Sequence, residues 1–159
     1  MTDHSPAPPK YLTYAGMLPF ALLSLAVILA SNDPIRIYDS LSATALLVYS
    51  VAIFTFLNGI RWGVGIVQSP PDISGVANAV LAFFAGWTLF LAGFSPLYER
   101  GAGWPLMCFA FLFILHYAWD LRATNHGQIP GWFLKQRFVA TIGATVSLTA
   151  AGFALVFGS

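Results

Sequence analysis

The sequence predicts an all-α polytopic membrane protein, a compact bundle of five transmembrane helices. Hydrophobic residues make up 58% of its 159 positions and charged residues only 8%, whereas an ordinary soluble domain carries about 25% charged residues. Five apolar runs of near-spanning length recur along the chain, separated by turn-forming residues. So few charges cannot cover a water-facing surface, but they suffice when the outer surface faces lipid.

Each apolar run is close to the roughly 20 residues that an α-helix needs to cross a 30 Å hydrocarbon core. Residues 1–10 form an N-terminal tail, and residues 11–159 form a single transmembrane domain. The predicted spans are 11–30, 41–62, 73–94, 104–121 and 138–157. No small-residue cleavage site clearly follows the first run, so we expect a retained first helix; a cleaved signal peptide is the alternative, and it would leave four spans.

Local chemistry refines the shape and the ends of these helices. Pro19 lies within the first span and lacks a backbone N–H, so we expect it to bend that helix. Asp39 or Ser40 is predicted to cap the N-terminus of the second helix, and Asp72 that of the third, because their side chains accept hydrogen bonds from free backbone N–H groups. The connections are short, which predicts antiparallel neighbours.

Positive charges are divided unequally between the two ends of the predicted bundle. Lysine and arginine are retained on the cytoplasmic side of a membrane. Five fall on the side of the N-terminus and two on the other: Lys10, Arg61, Arg122, Lys135 and Arg137 against Arg36 and Arg100. We therefore expect a multi-pass protein of the bacterial inner (cytoplasmic) membrane, or of the equivalent organelle membrane, with its N-terminus cytoplasmic and its C-terminus outside.

Small residues recur four apart on three of the predicted helices. Such spacing lets helix backbones approach closely in lipid, where association depends on packing. The residues are Gly59 and Gly63 on the second helix, Ala82 and Gly86 on the third, and Gly143, Ser147 and Ala151 on the fifth. They predict intramolecular helix packing, and the alternative is a homo-oligomer formed through the same faces.

Four polar residues lie within spans, in the half of the bundle that holds the N-terminus. Arg61 and Asp120 each cost about 2.5–3.5 kcal/mol at mid-helix and therefore need a partner or the interface. We expect Arg61 to pair with Asp120 between the second and fourth helices, with Asn58 and His116 completing a polar cluster. The cluster either holds the helix ends together or forms a ligand or proton-transfer site; the remaining alternative is that the four side chains make no mutual contact.

The connection between the fourth and fifth spans mixes aromatic and basic residues. This pattern is typical of a segment lying along an anionic membrane surface. The alternatives are a docking surface for another protein and a gate over the polar cluster. The residues concerned are Arg122, His126, Trp132, Lys135 and Arg137.

Sequence signatures of catalysis are missing. The chain has no HExxH, GxSG or GxGD motif, no P-loop and no Rossmann fingerprint. His116 and Asp120 supply only two of the three or four ligands of a usual metal site, and a bis-histidine haem would need a second buried histidine. We therefore expect no catalytic residue, metal or cofactor. The scattered lysines and arginines form no basic patch, so nucleic acid is not an expected partner.

Several short motifs resemble those of the transmembrane-protein-69-like family, a group of uncharacterised bacterial and mitochondrial inner-membrane proteins with a conserved domain of unknown function. They are Tyr14–Phe20 (YAGMLPF), Phe56–Gly63 (FLNGIRWG), Asp120 at the end of the fourth span, Pro130–Trp132 (PGW) and Arg137. The resemblance extends over nearly the whole chain. It implies the five-helix topology and an energy-transducing membrane, and it implies no established activity or cofactor.

The leading functional prediction is a non-catalytic accessory or assembly protein, or a lipid- or quinone-associated factor. Membrane lipids are the expected partners, together with larger membrane-protein complexes. A small transporter or channel that uses Arg61, His116 and Asp120 is the first alternative. The second is a membrane enzyme that acts on a lipid or isoprenoid, with His116 and Asp120 beside the headgroup.

Overall fold

A computed structural model describes residues 10–31, 37–68, 70–93 and 103–158, and within these ranges all regular structure is α-helical. The helices are α1 (Lys10–Ala30), α2 (Ile37–Val67), α3 (Ile73–Ala92), α4 (Gly103–Asn125) and α5 (Gly131–Phe157). All five are long and apolar enough to cross a membrane. The predicted fold class is therefore confirmed, and the predicted N-terminal tail, apart from Lys10, lies outside the described residues.

Three helices extend well beyond the spans that hydropathy predicted: α2, α5 and α4, which runs to Asn125 rather than ending at residue 121. The 31-residue α2 begins at Ile37, before Asp39 and Ser40, so the prediction that either residue caps it is wrong. The 27-residue α5 begins at Gly131 rather than at residue 138. Its first two turns contain polar residues that lower the local hydropathy, yet lysine, glutamine and arginine are good helix formers. Hydropathy locates the part of a helix that lies in lipid, not the helix itself.

The N-cap of α3 is the predicted one. Asp72 accepts hydrogen bonds from the Gly75 backbone N–H (2.9 Å) and the Ser74 hydroxyl (2.7 Å). These two hydrogen bonds, that from Gly75 first, hold the pKa of Asp72 below its ordinary value. The turn between α2 and α3 therefore carries an ionised carboxylate at the membrane surface.

The five helices pack into one bundle. α5 lies between α1 and α4, and α1 lies between α5 and α2. α3 packs mainly on α2, and its smaller contact with α4 is as extensive as that between α2 and α4. We call the end where α1, α3 and α5 begin and α2 and α4 finish the polar end, and the opposite end the apolar end.

Large side chains fill the interior from the apolar end to mid-bundle. Phe54 and Phe113 pack edge to face with ring centroids 5.7 Å apart, and both are buried. The apolar side chains that are less than 2% exposed are Val27, Leu46, Leu47, Phe54, Pro105, Leu106, Phe109, Phe113, Leu148 and Ala151. The two phenylalanines thus separate the largely apolar core, whose buried polar residues include Ser24 and Ser50, from the buried charged groups.

Small residues bring several helices together, although not all of those predicted. A Cβ on Gly86 would lie 2.7 Å from the Phe54 ring, and one on Gly143 would collide with Met17. By contrast Gly59 and Gly63 are exposed, with no atom within 4 Å of a Cβ. The prediction that these two pack inside the bundle is wrong, because small residues four apart are equally compatible with a lipid-facing surface.

The other predicted packing residues lie at interfaces. The Ser147 carbonyl accepts a 2.7 Å hydrogen bond from the Ser24 hydroxyl on α1. Ala151 is fully buried, and Ala82 packs partly buried against the core.

Candidate functional site

A buried charged cluster lies at the polar end, and we define it as Arg61, His116, Asp120 and Arg137. Arg61 is six residues before the end of α2, Asp120 five before the end of α4, and Arg137 six after the start of α5. At a rise of 1.5 Å per residue these positions are about 8–9 Å inside the helix ends. Each of the four residues is at most 7% exposed.

Asp120 is the centre of the cluster. Its Oδ2 accepts a 3.0 Å hydrogen bond from Arg137 Nε, and His116 Nδ1 lies 3.5 Å from the same oxygen. Its other oxygen, Oδ1, lies 3.9 Å from Arg61 Nε, which is an ion pair without a hydrogen bond. The expected pairing of Arg61 and Asp120 is therefore present in the structure, but the closer partner is Arg137.

The Arg61 guanidinium also lies over an aromatic ring. Its Cζ is 4.4 Å from the centroid of the Trp119 ring, within the range of a cation–π interaction. His116 packs against the same indole and against Phe54, with ring centroids 5.6 and 5.8 Å apart. Aromatic rings thus separate the cluster from the apolar core.

Hydrogen bonding in the cluster is incomplete. Within the described part of the chain, these buried atoms lack a hydrogen-bond partner: Arg61 Nε and Nη1, His116 Nδ1 and Nε2, Asp120 Oδ1 and Arg137 Nη2. A buried polar group without a partner typically costs about 1–3 kcal/mol, and more when it is charged. The cluster can therefore still accommodate hydrogen-bonding groups beyond those that the helices supply.

The charges of the cluster do not cancel. Arginine stays protonated at physiological pH, so two guanidinium groups face one carboxylate. Among the residues that the structure describes, Asp120 is the only carboxylate within 4.0 Å of either arginine. Asp72 acts on Arg61 from the membrane surface, at longer range. Counting the two arginines and Asp120, the buried cluster carries one excess positive charge.

A cavity of about 170 Å³ adjoins Arg137. It lies between α1, α2 and α5, and its polar lining comes from Thr13, Gln136, Arg137 and Thr141. Thr141 is one turn beyond Arg137, and its buried hydroxyl lacks a partner. Apolar side chains form the remaining wall: Met17, Phe20, Ile53, Phe56, Leu57, Ile60, Phe113, Phe133, Ala140 and Ala144, with Gly16 beside them. An elongated apolar molecule with one polar end would match this lining.

Asn58 faces away from the charged cluster. Its Nδ2 donates a 2.9 Å hydrogen bond to the Phe54 carbonyl within α2, and its Oδ1 has no partner. It lines an apolar groove of about 420 Å³ between α2 and α3. The structure therefore does not bring Asn58 into hydrogen-bonding contact with the residues that it was expected to join.

The connection between α4 and α5 divides into surface and interior residues. Arg122, His126 and Lys135 are exposed, and Trp132 is half-buried. Arg137 is only 7% exposed and binds Asp120. Its assignment to a surface segment is corrected: because α5 begins at Gly131, Arg137 is already inside the bundle.

The contribution of Arg137 and Thr141 was missed at the sequence level, although a pattern could have located both. The first five buried positions of α5 are 137, 141, 144, 148 and 151, spaced by three and four as expected for one helix face. Extending the apolar stripe backwards from Leu148 reaches Thr141 and then Arg137. Because Thr141 and Arg137 are polar, a search for apolar periodicity does not include them in the buried face.

The arrangement offers hydrogen bonding and charge, but no group arranged for covalent chemistry. In the described ranges no three His, Cys, Asp or Glu residues are close enough to hold a metal ion. The Ser74 hydroxyl, a nucleophile by residue type, donates a hydrogen bond to Asp72 at the start of α3. The site can bind and orient an anionic or hydrogen-bond-accepting group.

The fold and this cluster define a five-helix integral membrane protein with a cluster of buried charged side chains between α2, α4 and α5. The chain belongs to the family described as "Protein of unknown function (DUF3429)", whose match covers residues 5–153. The predicted resemblance to transmembrane-protein-69-like proteins is thereby confirmed.

Two curated relatives carry the name Transmembrane protein 69. The protein from Mus musculus is 28% identical over 152 residues, which are 90% of this chain and 54% of the mouse protein. That from Xenopus tropicalis is 29% identical over 147 residues, 91% of this chain and 53% of the frog protein. The chain thus spans about half the length of these relatives. No solved structure matches it.

Proposed function

We propose that this chain is a non-catalytic protein of an energy-transducing inner membrane that binds an amphiphilic molecule of the bilayer, a lipid or a quinone, between its helices. The observation that carries the proposal is the set of unpartnered buried donors beside a largely apolar cavity, Arg137 Nη2 foremost. A polar head that accepts hydrogen bonds would satisfy these donors, and an apolar tail would match the remaining wall.

The position of the cavity supports a ligand that arrives from the bilayer. Phe56 lines the cavity, yet its side chain is 65% exposed on the lipid-facing surface of α2. A second cavity of about 200 Å³ shares Thr13 and Gln136 with the first and includes the exposed Lys135. The site is therefore accessible both from the hydrocarbon region and from the interface.

Transport through the bundle receives less support than binding. Beyond Phe54 and Phe113 the described interior is filled by side chains such as Leu46 and Leu148, which are fully buried. A polar path across the apolar end would require these side chains to move. A ligand seated at the polar end needs no such rearrangement, and an accessory role beside larger membrane complexes is compatible with it.

The proposal is tested by purifying the protein from native membranes in mild detergent and extracting it for lipid mass spectrometry and quinone absorption. We expect close to one lipid or quinone per chain, with retention greatly reduced in Arg137→Gln. Arg122→Gln removes the same charge from an exposed position of the same end and serves as the control. Equal retention by the two variants, or no retained amphiphile in the wild type, would contradict the proposal.

A further inference from the structure

We infer that the ligand of this site is a singly charged anionic phospholipid whose phosphodiester lies against Arg137 and Thr141. The inference rests on the proposed function and narrows it, because a neutral quinone or a zwitterionic lipid would also satisfy the broader proposal. Three features select the anion: the net charge of the cluster, its unpartnered hydrogen-bond donors, and the size and surroundings of the cavity.

Net charge is the first feature. Arg61 and Arg137 share Asp120, at 3.9 and 3.0 Å, and one positive charge remains uncompensated in a buried environment. An isolated buried charge is strongly unfavourable unless a counter-charge or hydrogen bonds compensate it. One phosphodiester supplies the single missing negative charge. A quinone supplies none, and phosphatidylethanolamine brings an ammonium group into an already cationic site.

The free donors are the second feature. Arg137 uses Nε for Asp120, while its Nη2 is buried and unpartnered. Thr141 lies on the same face of α5, one turn further, and its hydroxyl is also buried and unpartnered. Both residues line the cavity. The free donor atoms themselves are shielded from solvent, so a phosphate reaches them when the two side chains turn toward the cavity that they line. A guanidinium with a hydroxyl one turn away is then a natural site for phosphate oxygens.

The cavity itself is the third feature. Its volume of about 170 Å³ is many times the roughly 10–15 Å³ that one water molecule needs, so a group of several non-hydrogen atoms fits. Exposed Lys135 lies in the neighbouring cavity near the interface, where it would add attraction for an anionic lipid. The acyl chains would pass Phe56 into the bilayer.

The test uses purified, delipidated full-length protein in detergent and native mass spectrometry with thermal unfolding. The probes are phosphatidylglycerol, phosphatidylethanolamine with the same acyl chains, a ubiquinone and inorganic phosphate. We expect phosphatidylglycerol to bind at least about tenfold more tightly than phosphatidylethanolamine, because only phosphatidylglycerol adds a net negative charge to the cationic cluster, whereas the ammonium group of phosphatidylethanolamine is repelled by it. Arg137→Gln should abolish this preference, and Arg122→Gln should leave it unchanged.

Thr141→Val keeps the side-chain shape and removes only the hydroxyl, so it tests the site even if Arg137→Gln fails to fold. We expect it to weaken phosphatidylglycerol binding several-fold with little change in ubiquinone binding, since ubiquinone has no phosphodiester to accept the hydroxyl's hydrogen bond. Equal binding of both phospholipids, or binding of ubiquinone alone, would overturn the inference and leave the proposed function standing. Stabilisation by inorganic phosphate but not by phosphatidylglycerol would also overturn it. Binding of no amphiphile at all would overturn both.

Discussion

Arg137 on α5 donates a 3.0 Å hydrogen bond from its Nε to Asp120 on α4, and both side chains are buried. The two residues are 17 positions apart in the sequence, and their hydrogen bond links α4 to α5 at the polar end. The same carboxylate also holds His116 and Arg61 at longer distances. Asp120 is therefore the residue on which the electrostatics of the whole cluster depend.

Replacing Asp120 should destabilise the protein strongly. Asp120→Asn leaves two buried guanidinium groups without a counter-charge, and loss of one partner of a buried ion pair costs about 3–5 kcal/mol. Thermal or denaturant unfolding in detergent would measure the change. The control is Asp72→Asn, which removes a carboxylate at the membrane surface; an equally large loss there would show that overall charge rather than the cluster is responsible.

Double-mutant cycles should distinguish the two arginines. We expect Asp120→Asn and Arg137→Gln to couple by about 1–3 kcal/mol, and Asp120→Asn and Arg61→Gln to couple less, because the first pair is hydrogen-bonded and the second is 3.9 Å apart. The free energy of unfolding of each single and double variant supplies the cycle. Additive effects in the Arg137 cycle would refute the pairing.

The indole of Trp119 should stabilise the Arg61 guanidinium. Trp119→Leu is expected to lower stability by about 1–2 kcal/mol, since the cation–π interaction is desolvated, and Trp119→Phe should lose less. Trp104, 47% exposed at the apolar end, provides the control as Trp104→Leu. Similar losses from the two leucine variants would mean that Trp119 contributes only as a large side chain.

Two glycines should respond to alanine with opposite signs. Gly86→Ala places a methyl group against the Phe54 ring, and such overpacking costs about 1–3 kcal/mol. Gly63→Ala meets no atom within 4 Å, so it should stabilise α2 by up to about 1 kcal/mol through higher helix propensity. Size-exclusion chromatography of Gly63→Ala extends the test: dissociation of an oligomer by this variant would place the face of Gly63 at a contact between chains.

The N-cap of α3 should make stability depend on pH. Because the pKa of Asp72 is lowered by the Gly75 and Ser74 hydrogen bonds, its stabilising contribution is present above the ordinary aspartate pKa of about 3.9 and is lost as pH falls through the lower folded value. Unfolding temperatures measured from pH 7 downwards should show this loss in the wild type. Asp72→Asn keeps an N-capping side chain and should lack it.

The charge distribution predicts the orientation of the bundle. In a Cys108→Ala background we expect His126→Cys, at the polar end, to react with a membrane-impermeant maleimide only after permeabilisation, and Gly158→Cys, at the opposite end, to react in intact cells. The converse labelling pattern would place the polar end outside. Labelling of both sites from one side would contradict an odd number of spans.

Much of this fold could be predicted from the sequence, because five runs of about 20 apolar residues leave few alternatives in lipid. Helix ends could not, since α5 begins at Gly131 although Lys135, Gln136 and Arg137 interrupt its apolar run. The cost of burying charge was enough to single out Arg61, His116 and Asp120 by sequence position. Arg137 was missed for the related reason that a charge just outside an apolar run is indistinguishable from a surface residue until the start of the helix is known.

Helix-packing residues show a different limit. Gly86 and Gly63 have the same sequence context, a small residue four positions from another, yet one meets a phenylalanine and the other faces outwards. The difference depends on which helix lies opposite, and that information comes from the tertiary contacts. Spacing alone therefore identifies candidates for packing but not the packed face.

The close approach of Gly103 and Gly152 at the apolar end, where a Cβ on Gly152 would lie 2.8 Å from the Gly103 carbonyl oxygen, has a consequence for biogenesis. This close contact at the apolar end and the Arg137–Asp120 hydrogen bond at the polar end hold α4 and α5 together at both ends, so the two helices form a closed hairpin. If the insertion machinery releases this hairpin as one unit, Arg137 enters the bilayer already paired with Asp120. We therefore expect α5 alone to insert poorly and α4–α5 together to insert efficiently.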